Sequence, residues 1–195
     1  MTMTVMIYIK NHFGSKRGLL NAVICAFKMH TGGFHRYKTI HCKNVKRFIF
    51  ICSGNICRSP VAEYIAKKNG ANAISYGLHC RGGDKADDRA IEYASCLDID
   101  VSAHRTQNIK DYIPQEGDLL VGMEPQHGDV CDARDHAREL EALFGKTVSI
   151  TLAGLWLPKP QAYIHDPYST TPEFFNYCEH QVALAVESLV KRIAT

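Results

Sequence analysis

The stretch Arg47-Phe-Ile-Phe-Ile-Cys-Ser-Gly-Asn-Ile-Cys-Arg-Ser-Pro60 decides the fold of this chain. Its first five residues form a short apolar run, which is typical of a strand buried on both faces of a sheet. Residues 60–69 then indicate a helix, with Pro60 in its first turn, lysines in its last turn and Gly70 behind it. Residues 52–59 are therefore predicted to form a loop from the carboxyl end of a strand to the start of a helix.

The rest of the chain continues this alternation of strands and helices. From short apolar runs, further strands are predicted at residues 73–76, 118–123 and 147–155. Helical patterns cover residues 87–97 and 125–143, and a last helix follows Thr170-Thr-Pro-Glu173. Its apolar residues fall three or four positions apart on one face: Phe175, Cys178, Val182, Ala185, Leu189 and Ile193. This alternation predicts a three-layer α/β fold, with a parallel sheet flanked by helices on both faces.

The loop at residues 52–59 has the composition of a phosphate-binding site. Between a strand and a helix, several backbone N–H groups can point at one spot, and the helix N-terminus adds the positive end of its dipole. Gly54 can adopt the positive φ that a tight loop needs, and Asn55 is among the residues that tolerate it best. Arg58 offers a planar fork for two phosphate oxygens. The same surroundings favour the thiolate form of Cys52, which makes Cys52 a candidate nucleophile.

Attack by Cys52 on a phosphate ester would release an alkoxide or phenoxide, which needs a proton from a general acid. Asp166, in the sequence His165-Asp-Pro-Tyr168, is the best candidate because it follows the fourth predicted strand. Loops at the carboxyl ends of parallel strands converge on one edge of the sheet, so we expect Asp166 to lie near the Cys52 loop. The alternative is that Asp166 is only a turn residue before Pro167, which is a common place for aspartate. We expect His165 to be a surface residue.

These two motifs resemble those of the low-molecular-weight protein tyrosine phosphatases. The resemblance rests on residues 52–60 after the first strand and on Asp166-Pro-Tyr168 before the last helix, and it covers roughly residues 45–195. The intermediate segments that also fit the family are residues 75–77, 86–90, 102–105 and 121–124. The resemblance implies four parallel strands in the order 2-1-3-4, no metal or other cofactor, and hydrolysis of protein phosphotyrosine through a cysteinyl phosphate.

The resemblance also implies a role for each site residue. Cys52 would be the nucleophile, Arg58 the phosphate clamp, and Asp166 the general acid and base. The other implied substrate- or phosphate-binding residues are Ser53, Gly54, Asn55, Ile56, Cys57, Ser59, His79 and Tyr168. Among them, Ser59 would hydrogen-bond to the thiolate, Asn55 would brace the loop, and Tyr168 would line the substrate crevice. In several family members a second loop cysteine, here Cys57, forms a reversible disulfide with the nucleophile, which would make the enzyme redox-sensitive.

The chain departs from the family at the rim of the crevice. Many relatives carry an aromatic residue after the Ser-x-Gly turn, where this chain has Leu78 and His79. Some relatives place a second aromatic residue where this chain has Ser169. These departures bear on substrate preference and leave the chemistry of the loop unchanged.

The composition is that of an ordinary globular protein. The 195 residues, 46% hydrophobic and 22% charged, are enough for one domain with a proper core. No apolar run approaches the roughly 18 residues of a membrane-spanning helix, and residues 1–9 lack the features of a secretory signal. The eight cysteines are scattered rather than spaced as a disulfide framework, which favours reduced thiols. We therefore expect a cytoplasmic protein.

The charge is distributed unevenly along the chain. Residues 1–47 hold nine of the 23 Lys and Arg residues but none of the 20 Asp and Glu residues, so the remainder carries 14 basic against 20 acidic residues. This change predicts a basic N-terminal extension at residues 1–45, partly helical or flexible, before a phosphatase domain at residues 46–195.

The segment from Lys16 to Lys28 is compatible with a helix that carries an apolar stripe. The residues of this stripe are Leu19, Leu20, Val23, Ile24 and Phe27, with basic residues around them. Such a helix can lie on an anionic membrane or dock on a partner. The alternatives are a helix packed on the domain, a flexible extension, or an upstream start that is not used, with Met29 as a later start. The N-terminal extension resembles extensions of bacterial family members that are associated with exopolysaccharide systems. The partners of those members include tyrosine kinases, so such a kinase is a candidate substrate.

Other functions fit the sequence less well. One alternative is that Cys52 is an inert apolar residue, as buried cysteines often are. Another is that Cys52 and Cys57 are half of a zinc site, but no second Cys or His pair follows at ligand spacing. A thiol-dependent arsenate reductase shares the cysteine loop but needs two further cysteines close together, whereas Cys80 and Cys96 lie far apart and Cys131 stands alone. A catalytically dead module that only binds phosphoproteins is the other alternative. Nucleic-acid binding has only the basic extension in its favour.

Overall fold

Four short parallel strands form the central sheet: β1 (Arg47–Cys52), β2 (Ala73–Gly77), β3 (Asp118–Gly122) and β4 (Ser149–Leu152). The structure is a computed structural model that describes residues 3–38, 40, 44–125 and 149–194. The strand order β2-β1-β3-β4 confirms the order that the family resemblance implied.

Five α-helices lie in the described part of the chain: α1 (Met3–Phe13), α2 (Lys16–His30), α3 (Arg58–Lys68), α4 (Asp88–Ser95) and α5 (Pro172–Ala194). The strand predicted at residues 147–155 is shorter than expected, because a 3₁₀ helix (Ala153–Trp156) replaces its second half. The helix predicted at residues 125–143 lies outside the described residues except for Pro125. Further 3₁₀ helices are His35–Tyr37 and Ile109–Asp111.

Strand β1 is the centre of the core. Phe48 and Phe50 face one side of the sheet and join α3 and α5 in the larger cluster, through residues such as Val61 and Leu189. Ile49 and Ile51 face the other side, in a second cluster with Ile109. Because β1 is buried on both faces, its alternating side chains are all apolar. The strand is thereby fixed, and the loop that begins at Cys52 starts from a rigid position.

An ion pair joins β1 and β3 at the end of the sheet opposite to Cys52. Arg47, the first residue of β1, donates from Nε and from a terminal nitrogen to the two carboxylate oxygens of Asp118, at 2.8 and 2.7 Å. The Tyr112 hydroxyl and the Gln115 N–H also donate to Asp118. This two-point pairing joins the first residues of β1 and β3, which are paired in the sheet register.

The N-terminal segment folds into two helices that pack on the rest of the chain. Ser15 caps α2, since its side chain accepts a 3.0 Å hydrogen bond from the Gly18 N–H. The face of α2 that packs inward carries Gly18, Asn21 and Cys25. Whether residues 1–45 form a unit separable from residues 46–195 stays a prediction.

Three of the five residues in the predicted apolar stripe of α2 face outward, while Leu19 and Ile24 are half-buried. Leu20, Val23 and Phe27 are 51%, 58% and 69% exposed, and these three residues are called the α2 stripe below. The alternative of a helix packed on the domain agrees with the structure of α2, but the helix turns its small and polar residues inward and leaves these three apolar residues exposed. Within the described residues, no helix combines the length and the apolar character needed to cross a membrane.

Candidate active site

The loop after β1 takes a sharp turn at Asn55. Its φ of 55° lies in the left-handed region, which asparagine tolerates better than most residues. Of the two residues that the sequence offered for a positive φ, Asn55 adopts it and Gly54 does not. Gly77, at the end of β2, lets the loop approach closely, because a Cβ atom there would lie 3.0 Å from the Asn55 backbone nitrogen.

Hydrogen bonds on all sides hold the buried side chain of Asn55. Its Nδ2 donates to Ser59 Oγ and to Ser75 Oγ, both at 2.9 Å. Its Oδ1 accepts from the Gln107 N–H at 2.8 Å. The Asn55 carbonyl lies 2.9 Å from His104 Nε2, which must be the donor because a carbonyl only accepts. The loop is therefore braced from three separate segments, and Asn55 and Ser59 lie where the predicted bracing requires them.

Cys52 is buried beneath this loop, with its sulfur within reach of two donors. The Asn55 N–H points at Sγ from 3.2 Å, and Ser59 Oγ lies 3.0 Å away. Since Ser59 Oγ accepts from Asn55 Nδ2, its own proton can point at the sulfur at 3.0 Å or at the Tyr76 carbonyl at 3.5 Å, and the sulfur is the nearer of the two. Both contacts favour a negative sulfur. Helix α3 begins just beyond, and no side chain caps it at Cys57, so its dipole adds to the same effect.

Arg58 lies fully inside the protein and pairs with two carboxylates. One terminal nitrogen donates to Glu124 Oε1 at 2.6 Å and to the Ile164 carbonyl at 3.0 Å. The other lies 3.2 Å from Asp166 Oδ1. Burial alone would lower the pKa of Arg58, but Asp166 and Glu124 hold this pKa well above its ordinary value, so the guanidinium stays charged. Its Nε–H, also buried, has no hydrogen-bond partner among the described residues.

Asp166 stands at the edge of the loop, where we expected it. Its side chain is 40% exposed, and Oδ1 accepts a 3.2 Å hydrogen bond from the Tyr168 N–H. The prediction that His165 is a surface residue is wrong: it is 8% exposed, with its ring against Tyr163 and Phe174. Burial, together with the nearby Arg58 charge, lowers the pKa of His165 to about 4, so the ring is neutral.

A cavity of about 270 Å³ opens above Cys52. The residues that line it are Cys52, Ser53, Gly54, Ile56, Cys57, Arg58, Asp166 and Tyr168. The structure thus brings together the three residues with predicted catalytic roles and five of the predicted binding residues. Asn55 and Ser59 lie behind the cavity wall. The His79 N–H donates to the Ser53 carbonyl at 2.9 Å, but His79 is not among the lining residues, so its contact with substrate stays a prediction.

Cys57 is buried on the inner side of the loop. Its thiol lies 3.8 Å from Asp87 Oδ2, to which it donates. Burial is the main cause that raises the pKa of this thiol above its ordinary value, and the nearby carboxyl groups of Glu179 and Asp87 act in the same direction. Cys57 is therefore a neutral thiol at physiological pH. Cys52 differs, because two hydrogen-bond donors lie close to its sulfur.

Three residues that support the site were given no place among the predicted site residues. Glu124 pairs with Arg58, Ser75 with Asn55, and His104 with the Asn55 carbonyl. Glu124 follows β3 at the carboxyl edge of the sheet, and that position was the signal that could have identified it. Ser75 and His104 lie in residues 75–77 and 102–105, which fit the family resemblance, but their contacts with Asn55 join segments far apart in sequence and could not be read from it.

Comparison with known proteins adds the family context. A family model described as "Low molecular weight phosphotyrosine protein phosphatase" matches residues 47–195. The chain is 29% identical over 151 residues to the probable low molecular weight protein-tyrosine-phosphatase EpsP of Ralstonia nicotianae, a match that covers 76% of this chain and 97% of that protein. It is 30% identical over 151 residues to the phosphatase Wzb of Salmonella typhi, with 76% and 89% covered.

A solved structure supports the same grouping. Wzb of Vibrio vulnificus in complex with benzylphosphonate matches with a TM-score of 0.61 and 26% identity, over 75% of this chain and 98% of that one. The match to the family model begins at Arg47, so helices α1 and α2 lie outside it.

We expect Asn55→Ala to weaken the site through both the backbone and the side chain. Loss of the buried hydrogen bonds should lower the free energy of unfolding by about 1–3 kcal/mol, and alanine at a positive φ should add about 1–2 kcal/mol. Asn55→Gly is the matched control, because glycine accepts this φ and loses only the side-chain bonds. Denaturant unfolding and titration with inorganic phosphate measure both effects. Equal losses in the two variants would contradict a role for the left-handed turn.

Proposed function

The chain belongs to the low-molecular-weight phosphotyrosine protein phosphatase family, whose model covers residues 47–195, and we propose the roles of its residues in hydrolysing phosphotyrosine in proteins. The observation that carries the proposal is the geometry around one cavity. Cys52 lies at its base, the buried Arg58 beside it and Asp166 at its mouth. Nucleophile, phosphate clamp and proton donor thus meet at one point, as phosphate-ester hydrolysis requires.

The phosphate group would bind over the sulfur of Cys52. Backbone N–H groups of residues 53–58 and the start of α3 favour a dianion there. The Arg58 Nε–H, buried and without a partner among the described residues, would donate to one phosphate oxygen. The terminal nitrogen now paired with Asp166 would donate to a second. A fork of this kind holds both the ground state and the charge that develops in the transition state.

The reaction would proceed in two displacements. In the first, the Cys52 thiolate forms a bond to phosphorus as the ester P–O bond breaks, and the carboxylic acid of Asp166 gives its proton to the departing oxygen. In the second, the Asp166 carboxylate takes a proton from water as the water oxygen bonds to phosphorus and the S–P bond breaks. The products are the tyrosine hydroxyl, inorganic phosphate and the restored thiolate, which the Ser59 hydroxyl stabilises.

The cavity walls favour an aromatic ester. Ile56 and Tyr168 line it beside the polar loop, and Tyr168 is 59% exposed at its mouth. Apolar and aromatic walls suit a phenyl ring better than a short hydroxyl side chain. The relative from Vibrio vulnificus, bound to benzylphosphonate, carries a ligand of this shape. We therefore infer that phosphotyrosine is preferred over phosphoserine.

A bacterial tyrosine kinase of a polysaccharide system is the substrate we propose. This proposal draws on the relatives named EpsP and Wzb, which match the phosphatase part of the chain. We place the reaction in the cytoplasm, since the six described cysteines are all free thiols.

We further propose that α2 attaches the enzyme to an anionic membrane surface. The exposed α2 stripe is bordered by Lys16, Arg17 and Lys28, and no Asp or Glu occurs in residues 1–47. A helix with an exposed apolar stripe between cationic residues has the character of an interfacial helix. Attachment would place the phosphatase beside membrane-bound substrates.

Cys52→Ser should abolish turnover and keep phosphate binding. Loss of the nucleophile should reduce kcat for p-nitrophenyl phosphate by more than about 10⁴-fold, whereas the loop amides and Arg58 survive. Phosphate titration should therefore give a dissociation constant close to that of the unchanged protein. In a lysate of the source organism, this variant should retain tyrosine-phosphorylated protein. A normal rate would refute Cys52 as the nucleophile, and an unchanged protein without turnover would favour a binding module.

Asp166→Ala should slow esters with poor leaving groups far more than those with good ones. The general acid contributes about 10²- to 10⁴-fold where the departing oxygen needs a proton, so phenyl phosphate should suffer this loss and p-nitrophenyl phosphate much less. The kcat/KM values of both substrates measure the difference, because kcat/KM reports the first displacement, whereas the second displacement is common to both esters. A similar loss on the two esters would mean that Asp166 is not the acid.

The full chain should sediment with phosphatidylglycerol vesicles and not with phosphatidylcholine vesicles. Phe27→Glu places a negative charge in the α2 stripe and should release the protein. Ile113→Glu is the matched control, because Ile113 is 76% exposed on the phosphatase domain and should leave binding intact. If the unchanged protein stays in solution with both kinds of vesicle, attachment to a membrane is ruled out. A protein partner would then be the molecule that covers the α2 stripe.

A further inference from the structure

The side chain of His165, next to the proposed acid Asp166, is surrounded by three aromatic rings. The His165 ring meets the Tyr163 ring at 4.5 Å and the Phe174 ring at 5.4 Å, both in edge-to-face geometry. A third ring, that of Phe13 at the end of α1, lies 6.1 Å away at an angle of 70°. Edge-to-face pairs at these distances are favourable for aromatic rings. The N-terminal helices therefore provide one wall of the pocket that holds His165.

The corner between α1 and α2 lies directly against His165 and Phe174 at two glycines, while a cavity of about 280 Å³, lined in part by Phe13 and His165, opens beside it. Gly14 has a φ of +67°, and a Cβ atom there would lie 2.7 Å from Phe174 Cε1. A Cβ atom on Gly18 would lie 3.1 Å from His165 Nδ1 and would clash with the Phe13 carbonyl. Both glycines allow the corner to sit directly on His165 and Phe174. On α2, Asn21 adds a buried hydrogen bond of 3.4 Å to the Tyr163 hydroxyl.

The other side of the same loop is fixed to the sheet and to Arg58. The Ile164 N–H donates to the Met123 carbonyl at 3.1 Å, and its own carbonyl accepts from Arg58 at 3.0 Å. His165 is thus the last residue held by packing before Asp166, whose side chain reaches out to 40% exposure. A shift of His165 would carry the Asp166 carboxylate with it.

We propose that the α1–α2 corner positions the general acid, with Phe13 and His165 as positioning residues for Asp166. The inference rests on the proposed function, because it needs Asp166 to act as the acid. His165 is neutral and surrounded by rings, so it acts through its shape rather than its charge. A displacement of an angstrom in a catalytic group can reduce a rate strongly, so loss of the corner should impair proton transfer before it impairs binding. Phe13 and Gly18 lie outside the match to the family model, which begins at Arg47.

The test compares two esters in the full-length protein. In Phe13→Ala and in His165→Ala, kcat/KM for phenyl phosphate should fall about tenfold, while kcat/KM for p-nitrophenyl phosphate, whose leaving group needs no proton, should stay within about threefold. The comparison uses kcat/KM because this ratio reports the first displacement, whereas the second displacement, in which Asp166 is the base, is common to both esters. A general loss of structure would lower both rates equally, so the ratio of the two rates reports the position of the acid.

Two control variants complete the test. His165→Phe keeps an aromatic ring of similar size and should restore most of the phenyl phosphate rate. Tyr8→Ala removes an exposed aromatic ring from the same helix as Phe13 without touching His165, and should leave the ratio unchanged. An unchanged ratio in Phe13→Ala, or an equal loss on both esters, would overturn the proposal. If the unchanged protein hydrolysed neither ester, the proposed function itself would fail, and this inference with it.

Discussion

The buried charge of Arg58 is the constraint on which the rest of the site depends. A cation this far from water is tolerated only when carboxylates balance it. Glu124, just after β3, and Asp166, in the loop beyond β4, provide this balance from two different segments. Arg58 itself follows β1, so a single guanidinium draws together the loops that follow three parallel strands. The cavity forms where these loops meet, and its shape follows from the electrostatics of one side chain as much as from the sheet.

Much of this arrangement could be predicted from the sequence, because the decisive signals are local. The apolar run before Cys52 and the helix after it fixed the loop between them, and the position of Asp166 after the last strand placed it at the same edge. The order of the strands came from the family resemblance, and the structure confirms it. The roles of Cys52, Arg58 and Asp166 stay predictions, although the three side chains meet at one cavity.

Other features could not be predicted because they depend on contacts between distant segments. The sequence offered both Gly54 and Asn55 for the left-handed turn, and the choice of Asn55 depends on Ser75, His104 and Gln107, which hold it there. His165 is buried because helices more than a hundred residues away cover it. The inward face of α2 is likewise set by what it meets: Gly18 fits against His165. Hydrophobic periodicity identifies an apolar face but does not say whether protein or solvent lies against it.

The burial of Cys57 bears on how the site would recover from oxidative damage. A neutral thiol attacks a sulfenic acid slowly, since the thiolate is the reactive form. If Cys52 were oxidised to a sulfenic acid, formation of a disulfide with Cys57 would therefore be slow. The sulfenic acid would then persist at the base of an open cavity. Small cellular thiols such as glutathione could then reach it first. Repair would depend on the surrounding thiol pool at least as much as on the neighbouring cysteine.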